Sequence, residues 1–147
     1  MPKGFQFRFE NILVFKGKKE NEAKMQLSEA VGLLEQEKSK LFRLEEQYEH
    51  AVYCWNQAMS QQQRVSEMQL KSNQIQWISD LIQIQQNMVQ KAEENAEKCR
   101  LILVEAKKET RKFEKIKEKD FELFQQAENK METASLDQFV SHRSSQK

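Results

Sequence analysis

Three glycines and one proline are all the backbone punctuation the chain has, and the last of the four is Gly32. From Leu33 to Lys147 nothing in the sequence breaks a helix by backbone chemistry. A sheet protein needs a tight turn every ten residues or so, so β architectures are excluded. Cysteine is equally scarce. Cys54 and Cys99 cannot make a disulfide framework, and both sit in helical sequence, where a reduced thiol is the ordinary state. No apolar run approaches the roughly 18 residues of a membrane span, and the Phe5 to Phe15 stretch is interrupted by Gln6, Arg8, Glu10 and Asn11. A cytoplasmic protein is expected.

Net charge is also missing: 24 basic and 23 acidic residues are intermixed, for a formal net charge of +1. The long-range attraction of a nucleic-acid binder is therefore absent, and the expected partners are proteins. With 32% charged and 38% hydrophobic residues, 147 residues hold little material for a thick core. What is abundant is Gln, Glu, Lys, Ala, Leu and Met, all good helix formers.

The apolar residues recur every three and four positions. From Ala23 the series runs through Leu27, Ala30, Leu34, Glu37, Leu41, Leu44, Tyr48, Ala51, Trp55 and Ala58, and only Glu37 is polar. Backwards it continues through Glu20, Lys16, Leu13 and Phe9. A second series starts at Ile75 and continues through Ile78, Ile82, Gln85, Val89, Ala92, Ala96, Cys99, Leu103, Ala106, Thr110, Phe113, Lys117, Asp120, Phe124, Ala127, Met131 and Ala134. Such heptads keep one narrow stripe against a partner helix. The two series are out of step, and the polar segment Ser60 to Ser66 lies between them, so the chain is expected to reverse there. Ser66 and Gln69 have the spacing of a capping box at a new helix start.

Two helices joined by a short loop bury their stripes most simply against each other. The expected fold is all-α, a long two-helix antiparallel coiled-coil hairpin forming a single domain over residues 1–147. Helix one should cover about 9–60, the turn about 61–66, helix two about 67–138, and a frayed tail 139–147. An arm of some fifty residues spans roughly 75 Å. A reversal centred near residue 63 sets Ala30 opposite Ala96 and Phe9 opposite Lys117, and leaves Cys54 and Cys99 about 40 Å apart. Residues beyond about 124 then overhang the base. Phe124, Ala127, Met131, Leu136 and Phe139 either offer an apolar face to another protein or fold back on Phe5 and Phe7.

Trp77, Leu81, Ile84 and Met88 repeat the seam's spacing one residue earlier, about 100° around the helix, so they form a second stripe turned away from the seam. A third helix, a homodimer or a foreign partner would cover it. At the base, Lys3, Arg8, Lys16, Lys18, Lys19 and Lys24 approach Lys107, Lys108, Arg111, Lys112, Lys115, Lys117 and Lys119, interleaved with carboxylates that serve equally well to solvate the arm. There is no Gly-rich phosphate loop and no zinc-type cysteine pair. His50 and Cys54 are four apart, but two ligands do not make a metal site. No catalytic activity, cofactor or metal is expected, because a two-helix rod has no pocket in which to tune a carboxylate.

Phe5-Gln6-Phe7-Arg8-Phe9-Glu10-Asn11-Ile12-Leu13, Lys112-Phe113-Glu114-Lys115-Ile116-Lys117-Glu118-Lys119, and Ala127-Glu128-Asn129-Lys130-Met131 followed by Leu136-Asp137 resemble the FliJ family in order and position along the whole chain. The family usually continues the late Asp with Glu, where this chain has Gln138. The resemblance implies an antiparallel coiled coil of the bacterial flagellar type III export apparatus, similar to the central stalk of rotary ATPases. It implies binding to the export ATPase FliI by the end bearing both termini, contact with the export gate protein FlhA, and escort of export chaperones. Carried over, Trp77, Leu81, Ile84 and Met88, with Tyr48 and Val52, are the expected gate-binding residues. Phe9, Lys16, Arg111 and Asp137 are the expected ATPase-binding ones. The implied protein is a monomer in isolation and reaches the membrane only through its partners. The competing readings are a generic structural rod or dimerisation module, and a nucleic-acid binder using the basic base.

Overall fold

The computed structural model describes residues 4–146, and Lys3, counted above with the basic residues of the base, lies outside them. Regular structure among the described residues consists of α1 (Glu10–Ser60) and α2 (Val65–Ser145), packed antiparallel as the all-α two-helix hairpin that the periodicity predicts. The Phe9 carbonyl accepts the first bond of α1, from Leu13 N at 2.9 Å, and Glu10 sets a carboxylate in the first turn, at the positive end of the helix dipole.

The reversal is shorter than expected, and its chemistry differs. The Arg64 carbonyl takes the first bond of α2, from Met68 N at 3.0 Å, so Ser66 lies inside the first turn and is no cap. Gln61 N donates to Ala58 O at 3.2 Å, Gln62 adopts φ 52°, and Lys71 Nζ donates to Gln63 Oε1 at 2.8 Å, which ties the turn to α2. A side chain in the left-handed region is crowded by its own carbonyl, which glycine avoids. Gln62→Gly is therefore expected to raise the melting midpoint by roughly 1–3 °C. Gln61→Gly, at a position without positive φ, should lower it; thermal circular dichroism of both variants checks the sign.

The described residues fall into two compact units, where one domain is expected along the sequence. In the unit Ala23–Leu103 every position of the first heptad series is covered, Ala23, Ala30 and Ala58 fully, and Ile78 and Val89 answer from α2. Alanine at the tightest positions lets the helices close in on each other. The one polar layer is satisfied: Gln85 Nε2 donates to both the Glu37 carbonyl and its carboxylate, while Lys40 Nζ approaches that carboxylate at 3.6 Å. A polar pair at a seam position penalises any slipped register, since slippage would leave both groups facing apolar side chains.

The unit Met1–Glu22 with Val104–Lys147 is held by aromatics. Phe5 packs on Phe121 at 5.3 Å and Phe124 at 5.4 Å, Phe7 is buried, and Phe9 meets Phe113 edge-on at 6.1 Å. Lys117, expected opposite Phe9, instead bonds Glu10 at 2.9 Å and lies 5.9 Å from the Phe7 ring, because its ammonium finds a carboxylate there. Its seam is more polar: Lys16 pairs with Glu109 at 3.5 Å, and buried Thr110 returns its hydroxyl to Ala106 O at 3.0 Å. Phe124 is the last covered residue, and from Gln125 onward every described side chain is exposed. Of the apolar overhang residues only Phe124 folds back; Ala127, Met131, Leu136 and Phe139 do not. Nor does the helix end at 138. It runs to Ser145, with no Gly or Pro to stop it, His142 and Arg143 facing the negative end of its dipole, and Ser145 Oγ donating to His142 O at 2.8 Å.

Candidate docking surfaces

The stripe one residue ahead of the seam on α2 faces outward. Trp77 is 63% exposed, Ile84 60% and Met88 45%, with Leu81 half-buried. Ile78, one residue after Trp77, is 5% exposed, which is the 100° step from seam to flank. Trp77 forms one wall of an open groove of about 580 Å³ whose opposite wall on α1 includes Arg43, Gln47, His50 and Cys54. Arg43, Gln47, His50 and Cys54 each precede a seam residue, as Trp77 does; in an antiparallel pair such positions lie on the same flank.

That arrangement separates the expected gate-binding residues. Tyr48 is a half-buried seam residue, and Val52 follows the seam residue Ala51, which turns it towards the other flank. Neither lines the groove. The α1 wall was missed in the sequence because its residues are polar and carry no apolar period; the only signal was their position one step before Leu44, Tyr48, Ala51 and Trp55.

His50 Nε2 and Cys54 Sγ lie 3.6 Å apart, but no third ligand-type side chain joins them, and among the described residues no group of three such side chains forms a metal site. Arg43 Nε reaches only the Ser39 carbonyl, at 3.5 Å. Elsewhere in this unit Glu97 is held below the ordinary carboxylate value by hydrogen bonding from the Arg100 guanidinium, an exposed intrahelical pair with no access to a cavity.

The four residues expected to meet the ATPase do not converge. Phe9 is half-buried between Phe7 and Phe113, with the Arg8 guanidinium 4.7 Å from its ring. Lys16 is engaged with Glu109, whereas Arg111 is exposed and enters no ion pair among the described residues. Asp137 lies 26 residues beyond Arg111 along α2, roughly 40 Å by helical rise, on the uncovered end. Arg111 and Asp137 are thus available, while Phe9 and Lys16 already hold the two helices together. No helix among the described residues is long and apolar enough to cross a membrane.

No curated protein and no solved structure matches the chain. The family model described as "Flagellar FliJ protein" matches residues 5–147, so the chain belongs to the FliJ family, non-catalytic components of the flagellar protein-export apparatus.

Proposed function

We propose that the chain is a non-enzymatic adaptor of this apparatus, contacting the export gate through the flank of the Ala23–Leu103 unit and the export ATPase through the unit that carries both termini. The gate surface is Trp77, Leu81, Ile84 and Met88; Tyr48 backs it from within the seam, and Val52, on the opposite flank, lies outside it. The ATPase, FliI, meets Arg111 and Asp137 directly, with Phe9 and Lys16 shaping the base as a central stalk is shaped. The same exposed flank takes unloaded export chaperones in turn. The protein works in the cytoplasm, at the membrane face, through the gate protein FlhA.

One observation carries this reading: Trp77 and Ile84 stay more than half exposed beside a seam that is already closed. A purely structural rod has no use for a tryptophan there, whereas aromatic anchors dominate binding energy at protein interfaces. Trp77→Ala combined with Ile84→Ala is expected to leave helicity intact and shift stability by about 1 kcal/mol or less, while weakening binding to the gate's cytoplasmic domain at least tenfold, a loss of about 1.4 kcal/mol or more. Calorimetric titration with a parallel melt reads both. Unchanged affinity, or a large loss of stability, would remove the stripe from the binding surface.

A further inference from the structure

The uncovered end of α2 carries a second pattern, distinct from the seam. Glu132, Leu136, Phe139 and Arg143 follow one another by four, three and four residues, so they form one stripe along a helix that is continuous to Ser145. Leu136 and Phe139 are 64% and 62% exposed, and neither Glu132 nor Arg143 enters an ion pair among the described residues. The stripe lies across the helix from Ala127 and Ala134, which prolong the intramolecular seam.

Read along the chain, the order is acid, apolar, apolar, base. Turned end for end, it complements itself. If a second copy is laid antiparallel, each Leu136 faces the second copy's Phe139 and each Glu132 faces the second copy's Arg143, twice over by symmetry. The layers also alternate as antiparallel coiled coils require, the first apolar heptad position of one helix opposite the fourth of the other. A parallel arrangement would stack Glu132 on Glu132 and Arg143 on Arg143, so the charges select the direction.

We infer that this end of α2 is a self-association surface, and that its occupant is the same segment of a second copy. Only about three turns of helix per copy take part, well short of the roughly 1,200 Å² of a permanent interface, so the dimer is weak and reversible. The protein is then a monomer when dilute and pairs where it is concentrated. Asp137 lies about 100° round the helix from Leu136, off the stripe, so pairing leaves it accessible.

Sedimentation equilibrium of the full chain between about 5 and 500 µM tests this, with a dissociation constant on the order of 10⁻⁴ M expected. Glu132→Arg and Arg143→Glu each turn two attractive pairs repulsive and should weaken dimerisation about tenfold. The variant carrying both exchanges restores the complement and should return to within about twofold of the parent. Both positions are exposed, so unchanged melting curves will certify the fold. A chain that stays monomeric throughout overturns the inference; so does a dimer indifferent to the single exchanges, or a double variant no better than either single one.

Discussion

Ile78→Asp is expected to lower the stability of the Ala23–Leu103 unit by about 4 kcal/mol or more, while Ile84→Asp, the same exchange six residues along the same helix, should change it by less than about 1 kcal/mol. Ile78 is 5% exposed and Ile84 60%. At the first position the exchange removes a buried branched side chain and leaves a carboxylate in the closed seam, where water scarcely reaches it. A seam only two helices thick has no second layer to absorb that loss, and the substitution should push the unit towards unfolding. At the second position the new carboxylate stands in water. Urea titration of both variants measures the difference, and comparable losses would mean that the flank belongs to the core. Under the proposed function Ile84→Asp also abolishes gate binding, so the pair separates folding from docking.

Phe7→Ala should cost the terminal unit about 3 kcal/mol. Phe7 precedes α1 yet is 7% exposed, edge-on to Phe9 at 5.8 Å and near the Lys117 ammonium at 5.9 Å. This seam is partly ionic, and exposed ion pairs such as Arg8–Asp120 contribute at most about 1 kcal/mol each, so the phenylalanines carry the pairing. Hydrogen exchange reads the effect locally: amides between residues 10 and 20 are expected to exchange about a hundredfold faster, and those around residues 78–89 at the parent rate. Phe15→Ala provides the control, because Phe15 is 53% exposed and should cost no more than about 1 kcal/mol. Equal effects from the two variants would contradict an aromatic clasp at Phe7.

The seam was legible because heptad spacing is a direct image of which side of a helix is covered. Each residue from Ala23 to Ala58 in the first series, and from Ile75 to Phe124 in the second, is buried or half-buried, and cover stops at Phe124, close to where a reversal near residue 63 uses up the first arm. Even Phe5 finds the residue, Phe121, that such a reversal assigns to it. What stayed hidden depends on single contacts with no period to announce them. The start of α2 rests on the Arg64 carbonyl, the turn on a glutamine with φ 52°, and the Phe7 cluster on a segment outside the helix. Val52 was grouped with Trp77 through the family resemblance, yet a one-residue offset after the seam, not before it, turns it towards the opposite flank. On the flank, what was legible was exposure that follows from phase: Trp77, Ile84 and Met88 are exposed as their offset from the seam requires. The ATPase set, chosen by position along the arms, includes two residues that already have intramolecular partners.

All of this depends on α1 and α2 closing on each other within one molecule. Cysteines placed at Glu37 and Gln85, in a chain whose Cys54 and Cys99 are replaced by alanine, can be joined with a short bifunctional thiol reagent in dilute solution. The contact of Gln85 Nε2 with the Glu37 carbonyl at 3.0 Å predicts a cross-linked monomer in high yield; cross-links formed only between separate chains would show that the seam closes on a different molecule.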